Sequence, residues 1–341
     1  MKSLPISYTK ILFSTFMLLI SFQTLCAEEK KGDFFLERFN IYFENDIFDK
    51  TDKGYTNGVK FSTIFNVNTE VYPFFKAPFF YDSTKNHFVT FSVGQDIFTP
   101  EDTQALPPDT KDRPYAGWLY MGMNWQQGDA NNLDSLEIQV GVVGPAALGE
   151  QIQNGIHSKT GSLEAVGWDY QLANEPGLIV SYEHRWRHVT DELFLGINAD
   201  AIPYAGFALG NVLSYANVGT AVRFGWNIPS DFGKSVTHPA QEAGVPAFDR
   251  GAHHFRNKFS FYFLAVVDAG FIARDIFLDG NTFKDSASVP ERDYLIGAFT
   301  AGFGLDIYAL HIVFLNTHKT KDFVLDNKGF SFGTIGVSYV Y

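Results

Sequence analysis

A period-two alternation of side chains runs through most of this chain and limits what it can fold into. It is clearest over residues 330–341, where one face is apolar and ends in Tyr339 and Tyr341. Successive side chains of a β-strand point to opposite faces, so this pattern predicts strands rather than helices. Apart from one short run near the start, the chain has no long apolar stretch. Strands must therefore form most of the structure.

The alternation predicts twelve strands, separated by turn-like segments. The predicted strands are residues 37–47, 55–66, 87–97, 115–127, 134–143, 177–187, 192–202, 216–227, 258–278, 292–304, 307–318 and 330–341. Strands of about 10 residues are long enough to cross a bilayer. An even number of antiparallel strands is typical of a closed barrel in the bacterial outer membrane. The prediction is an all-β transmembrane barrel, and the soluble alternative is a secreted β-sandwich.

The first residues predict export. Lys2 and Lys10 precede an apolar run at residues 11–22, and a small residue, Ala27, follows shortly after. This order is typical of a secretory signal peptide, and the run is too short to span a bilayer. We therefore predict a signal peptide at residues 1–27 and one barrel domain at residues 28–341. Cleavage after Ala27 would remove Cys26, the only cysteine, which excludes disulfides and thiolate sites from the mature chain.

Composition favours the membrane barrel over the sandwich. Aromatic residues make up 16% of the chain, although the mean hydropathy is only −0.07. The formal net charge of −12 argues against a nucleic-acid partner. The last strand resembles the recognition strand of outer-membrane barrels, so the expected partners are the barrel assembly machinery and outer-membrane lipids. The predicted location is a Gram-negative outer membrane, and a closed barrel of this size can stand as a monomer.

Strand parity places the connecting segments. With a periplasmic N-terminus, the segments 48–54, 98–114, 144–176, 203–215, 279–291 and 319–329 are predicted to be extracellular. Segment 228–257 becomes periplasmic, which is unusual because periplasmic turns are generally short. Either this connection is exceptional or a strand near residues 203–257 is miscounted, and the role of this segment stays open.

One extracellular segment, 144–176, predicts a short helix. Pro145 suits a first helical turn, and Leu148, Ile152 and Ile156 recur at a spacing of four, which makes an apolar stripe.

The best candidate for a general base is His157. An imidazole can take a proton from water at neutral pH. Gln153 lies four residues earlier and so on the same helix face, and Glu164 follows in the same loop. The alternative is an ordinary surface or packing histidine.

Another candidate region is the hairpin between the first two strands, which contains Asn45 and Asp46. Asp46, Asp49 and Asp52 offer hard oxygen ligands of the kind that calcium prefers, although their spacing is not that of an EF-hand. The alternative interpretation is a charged, solvated hairpin.

Two further motifs have structural interpretations. The pair Asp112-Arg113 indicates a salt bridge or a loop anchor, and the nearby Tyr115 and Trp118 are predicted to be interfacial girdle residues. Residues 329–333 match the G-x-S-x-G pattern, but that motif requires a strand, a turn and a helix, and here it begins a strand. We therefore predict no serine nucleophile at Ser331.

Taken together, several motifs resemble the LpxR family of lipid A 3′-O-deacylases. They occur in family order over roughly residues 40–176, and they are Asn45-Asp46, Tyr55-Thr56-x-Gly58, Gln95-Asp96-Ile97, Asp112-Arg113, Gly141-Val142-Val143-Gly144-Pro145 and Gln153-Asn154-x-x-His157. The resemblance implies a twelve-stranded barrel with its site between the barrel wall and a loop helix, near the outer leaflet. It also implies calcium-dependent hydrolysis of the 3′-acyloxyacyl ester of lipid A, within lipopolysaccharide.

The resemblance also implies roles for particular residues. His157 matches the catalytic histidine, and the further matches to catalytic positions are Gln153, Thr56 and Asn45. Asp46 matches a calcium ligand, and Glu164 is the nearest residue to a glutamate that follows the histidine in the family. The expected mechanism is attack by a His-activated water, with Ca²⁺ stabilising the oxyanion. The alternatives are a non-enzymatic porin or structural barrel, and an outer-membrane phospholipase.

Overall fold

The chain folds as a barrel of antiparallel strands. The computed structural model describes residues 32–46, 54–189, 195–233, 245, 259–326 and 329–341. The strands are β1 (Phe34–Asn45), β2 (Gly54–Val67), β3 (Asn86–Thr99), β4 (Ala116–Gly128), β5 (Asn132–Val143), β6 (Glu175–Trp186), β7 (His188–Val189), β8 (Ile197–Gly210), β9 (Leu213–Trp226), β10 (Phe259–Asp275), β11 (Leu295–Ile307), β12 (Leu310–Lys319) and β13 (Phe330–Val340). The helices are α1 (Gly149–Thr160) and α2 (Ile276–Asp279). The predicted signal peptide, Asp49 and Asp52 lie outside the described residues.

The sheet closes on itself. Consecutive strands pair with one another except β6 and β7, which both pair with β8, and β1 pairs with β13 to close the sheet. A single residue, Arg187, separates β6 from β7, so the two together form one wall strand. The predicted closed, twelve-stranded antiparallel barrel is therefore confirmed. Among the described residues, no helix is long and apolar enough to cross a membrane.

The alternation has the expected sense, with apolar side chains outside and polar side chains inside. In β10, the exposed Phe259, Phe261 and Phe263 alternate with the buried Ser260 and Tyr262. This arrangement fits a wall whose outer face meets hydrocarbon. The rim at which β1 ends carries α1 and the long connections between β3 and β4 and between β10 and β11. Since outer-membrane barrels carry their long loops outside the cell, we assign this rim to the extracellular side and call it the outer rim.

The predicted extracellular segment 203–215 is wrong. β8 continues to Gly210, β9 starts at Leu213, and only Asn211 and Val212 make the turn. Pro203 is accommodated within β8 because it lies opposite the interruption between β6 and β7, where the ladder pairing has a gap. The strand predicted at residues 192–202 was therefore placed too early, and the strand count does not change.

The strand predicted at residues 258–278 ends sooner than expected. The Asp275 carboxylate accepts a hydrogen bond from the Phe277 backbone N–H at 2.9 Å and so caps α2. An aspartate in this position is a strong start signal for a helix. The apolar residues that follow are buried in α2 rather than in the wall.

The lumen is filled by charged and polar side chains near the inner rim. Arg223 is fully buried, and its guanidinium contacts Asp200 and Asp231, with Nη–Oδ distances of 2.5 Å to each. Asp231 lies in the long connection between β9 and β10, which starts at residue 227. The neighbouring Phe232 joins the apolar core, and its N–H donates to the Val245 carbonyl. The described part of this long connection therefore folds back into the barrel.

Candidate functional site

The first turn of α1 and the turn before it lie on the outside of the barrel wall. Phe91 of β3 is exposed to the membrane side, and Gln95 and Ile97 have the same parity, so they face outward too. Gln95 Nε2 donates to the Ala147 carbonyl at 2.5 Å. A Cβ on Gly117 of β4 would come within 3.1 Å of the Ala147 Cβ, so the missing side chain lets this segment approach the wall.

An apolar cluster holds α1 against the wall. Ile97, Tyr115, Ala165 and Trp168 are buried together, and Ile152 of α1 packs against them. The predicted girdle roles of Tyr115 and Trp118 are therefore wrong. Tyr115 lies under the helix loop, and Trp118 belongs to a buried cluster inside the barrel.

The buried face of α1 is polar. Gln153 and His157 are buried, whereas Leu148, Ile152 and Ile156 of the predicted apolar stripe are only half-buried. A helix on a barrel rim usually buries its apolar stripe, so this reversal singles out the two polar side chains. The predicted helix, with Gln153 and His157 on one of its faces, is confirmed.

Hydrogen bonds fix the orientation of both polar side chains. His157 Nδ1 lies 2.6 Å from the Leu163 carbonyl oxygen. Since a carbonyl only accepts, Nδ1 carries the proton, and in the neutral ring Nε2 holds the lone pair. Trp168 Nε1 donates to Gln153 Oε1 at 2.8 Å, whereas Gln153 Nε2 is buried without a hydrogen-bond partner.

The loop after α1 is clamped to the helix. Asn154 Nδ2 donates to the Ala165 carbonyl at 3.2 Å, and the Ala165 N–H donates back to Asn154 Oδ1 at 2.8 Å. The clamp holds the Leu163 carbonyl in place against the imidazole. Glu164 lies in this loop with an exposed side chain, and its backbone carbonyl accepts from Gln104 Nε2 at 2.8 Å.

The strand residues of the predicted site meet at the outer rim. Asn45 ends β1, Asp46 follows it, and both are buried. Asn45 lies directly opposite Asn57, which lies opposite Ile97, so these three outward positions form a row that leads toward α1. A register shift at Thr56 lets its hydroxyl lie 2.6 Å from the Thr99 hydroxyl.

Part of the strand-two motif has a structural role inside the barrel. The Tyr55 hydroxyl donates to Glu44 Oε2 at 2.8 Å and lies 3.1 Å from Asp96 Oδ1. A Cβ on Gly58 would lie 1.7 Å from the Tyr55 hydroxyl, so only glycine leaves room for this ring. Three motif residues therefore support the wall behind the site.

The donor set near Asp46 is suited to a hard cation. Asp46 is buried, follows Asn45 in the chain and lies at the end of β1 beside the start of β2, which carries Thr56, and all three side chains offer oxygen ligands. Within residues 32–46, 54–189 and the other described ranges, no group of three or more His, Cys, Asp or Glu side chains could hold a metal ion. Calcium therefore stays a prediction, as does the role of Glu164.

Sequence reasoning missed the support that Trp168 gives to the site, as well as the partner of Arg113. Arg113 Nη2 bonds Asp322 at 2.8 Å, across the outer loops, while Asp112 accepts the Glu101 N–H at 2.7 Å. The Asp112-Arg113 pair is thus an anchor between loops. Neither partner could be read from sequence, because the contacts join distant segments.

Comparison with known proteins identifies the family. A family model described as "Outer membrane protein LpxR" matches residues 12–341. Among solved structures, LpxR from Salmonella typhimurium aligns with a TM-score of 0.70 at 19% sequence identity, covering 89% of this chain and 100% of that chain.

Two autotransporter barrels align less well. The β domain of Bordetella BrkA has a TM-score of 0.43 at 7% identity, covering 90% of this chain and 98% of its own. The translocator domain of NalP from Neisseria meningitidis has a TM-score of 0.38 at 8% identity, covering 98% of each chain. No curated protein sequence matches significantly. The match to the family model spans nearly the whole chain, and the protein therefore belongs to the LpxR family of outer-membrane proteins.

Proposed function

We propose that this protein is a lipid A deacylase that hydrolyses the 3′-acyloxyacyl ester of lipopolysaccharide in the outer leaflet. The observation that carries the proposal is the polar buried face of α1. Gln153 and His157 are buried between α1 and the loop that follows it, on a helix that packs against the outer wall at the outer rim. A site in this position takes an acyl chain directly from the leaflet. Membership of the LpxR family supports the same substrate class.

His157 acts as the general base in this proposal. Its Nδ1–H is donated to the Leu163 carbonyl, which leaves Nε2 to accept a proton from a water molecule. The resulting hydroxide attacks the ester carbonyl, and the C–O bond to the sugar breaks. His157 then returns the proton to the leaving alkoxide. No serine nucleophile is needed, and Ser331 lies within strand β13.

The remaining polar groups bind and orient the reactants. Trp168 holds the Gln153 amide so that Nε2 is the donor presented to a ligand. Asn45 and Thr56 lie on the wall side, where they can orient the ester or the water. Asp46, with Glu164 as the predicted second protein ligand, would hold Ca²⁺. When bound, that ion would supply positive charge to stabilise the developing oxyanion.

The test is the mass profile of lipid A from cells with and without the protein. We expect lipid A from cells with the wild-type protein to lose one acyloxyacyl unit, and we expect this loss to require calcium. Lipid A from cells with the His157→Ala variant should keep the unit. A matched control is His188→Ala, an exposed histidine on β7. Both variants should keep the heat-modifiable migration of a folded barrel in detergent gels.

Three results would contradict the proposal. Full activity of the His157→Ala variant would show that His157 is not the general base. Undiminished turnover in excess EGTA would show that the reaction does not need calcium. An unchanged lipid A profile together with lysophospholipid production would identify a phospholipase instead. A porin would conduct ions in a planar bilayer, whereas the described lumen is filled near its inner rim by the Arg223 ion pairs.

A further inference from the structure

Asn57 is a buried amide on the outer wall whose polar atoms are both unsatisfied. Its side chain is 3% exposed, and neither Oδ1 nor Nδ2 has a hydrogen-bond partner. Among the described residues, it is the one Asn or Gln for which both amide atoms are in this state. A buried unsatisfied polar group costs free energy, so a protein that retains two of them at one residue requires a reason.

Buried amides of the lumen differ from Asn57. Asn217 Nδ2 donates to Asp268 Oδ2 at 3.0 Å, Asn40 Nδ2 donates to Ser62 at 3.1 Å, and Gln126 Oε1 accepts from Thr90 at 3.0 Å. These side chains bond to the wall around them. The Asn57 amide has no such bond, although it lies at the same depth of burial.

The position of Asn57 points to the candidate site. In the strand register it lies between Asn45 and Ile97, on the face that α1 partly covers. Ile97 packs with Trp168, and Trp168 bonds Gln153, whose Nε2 is the second unsatisfied amide atom of this region. Two amides with free hydrogen-bonding capacity therefore border one apolar patch.

We propose that Asn57 is a substrate-binding residue that selects an ester placed next to an N-acyl group. Its Nδ2 donates to a carbonyl oxygen of the substrate, and its Oδ1 accepts from an amide N–H. An acylated glucosamine offers both groups on neighbouring carbons, whereas a glycerophospholipid has no N–H beside its acyl esters. This inference rests on the proposed function and extends it, because it assigns discrimination between the two lipid classes to one residue.

The test compares Asn57→Leu with Asn217→Leu in the full-length protein. Leucine has nearly the shape of asparagine and removes both polar atoms. Replacing an unsatisfied amide leaves the unfolding free energy unchanged or higher, whereas Asn217→Leu breaks the bond to Asp268 and lowers it. We expect Asn57→Leu to lower kcat/KM on purified lipid A by about 10- to 100-fold, the range for lost hydrogen bonds to a buried partner. The rate at which the same variant hydrolyses phosphatidylethanolamine should not be lower than that of the wild type.

The Asn57→Asp variant tests the donor role of the amide separately. Asn57→Asp keeps the shape and the acceptor but loses the donor, and we expect it to lose activity on lipid A while the barrel still folds. If Asn57→Leu unfolds as easily as Asn217→Leu and keeps wild-type kcat/KM per folded molecule, the amide is structural and the inference is wrong. If the wild type fails to deacylate lipid A, the proposed function fails as well, so the two failures are distinguishable.

Discussion

Replacing Arg223 with methionine should strongly destabilise the barrel. Arg223 is fully buried in the lumen, with Nη–Oδ distances of 2.5 Å to both Asp200 and Asp231. Methionine keeps much of the aliphatic volume but removes the charge, so two carboxylates lose their main counter-ion. Removing one partner from a buried ion pair typically costs about 3–5 kcal/mol.

The surrounding arginines set where in that range the loss should fall. Asp200 keeps Arg187 Nε at 3.1 Å, and Asp231 keeps Arg38 Nη2 at a looser 3.8 Å. We therefore expect a loss of about 3 kcal/mol in the unfolding free energy, at the lower end of the range. Adding Asp231→Asn to Arg223→Met should recover part of the loss, because it removes the less well compensated charge.

The assay is urea unfolding of the protein in lipid vesicles, followed by tryptophan fluorescence. The control is Lys76→Met, which removes a partner of the exposed pair with Glu70 and should cost at most about 1 kcal/mol. Because Arg223 also binds the backbone carbonyl of Asp231 at 2.9 Å, the same variant should admit ions in a planar bilayer. The proposed stabilising role of the Arg223 ion pairs would be refuted if the unfolding free energy of Arg223→Met lay within about 1 kcal/mol of the wild-type value and the barrel still conducted no ions.

Two further predictions concern the site and the pH response. Gly149→Ala should reduce deacylation without unfolding the barrel, because the new Cβ would lie 2.6 Å from the Trp168 ring that orients Gln153. Lipid A turnover measures the expected loss of activity, and heat-modifiable migration of the same preparation shows whether the barrel is folded. Normal turnover would show that the Trp168 ring can move to make room for the new Cβ. Burial alone raises the pKa of Asp231, but the charges of Arg223 and Arg38 hold that pKa well below its usual range. The stabilisation is present above the unfolded pKa of about 4 and is lost as pH falls through the depressed folded value. Wild-type unfolding free energy should therefore fall below about pH 4 more steeply than that of Asp231→Asn, and parallel curves would contradict this.

Alternation predicted the barrel because a strand with one face in lipid and one in a polar lumen must alternate. The same rule failed in the second half of β8, after Pro203, where small residues on both faces make the alternation weak. The ladder gap opposite Pro203 depends on the bulge between β6 and β7, which is a tertiary feature. A local pattern cannot reveal a proline that is tolerated for such a reason.

The candidate site was predictable in its residue types but not in its packing. The spacing of Gln153 and His157 indicated one helix face, but it did not show that this polar face is the one that becomes buried. The helix rests on an outer wall that also faces lipid, so its apolar residues can stay half-exposed while its polar face is enclosed. Asn57 gave no sign in the sequence, since only the register shows that its amide is buried without a partner.

The two polar regions of this barrel have opposite relations to the membrane, and this difference constrains how a lipid reaches the site. The lumen is polar because its charges pair with one another, as Arg223 does with Asp200 and Asp231. At the outer-wall site, Asn57 is unsatisfied at both amide atoms, whereas the lumen amides of Asn40 and Asn217 each keep a hydrogen bond. A lipid that entered through the lumen would have to break the ion pairs at the inner rim. A lipid that moves laterally from the outer leaflet meets the unsatisfied amides first, so lateral entry is the route that the chemistry of this wall favours.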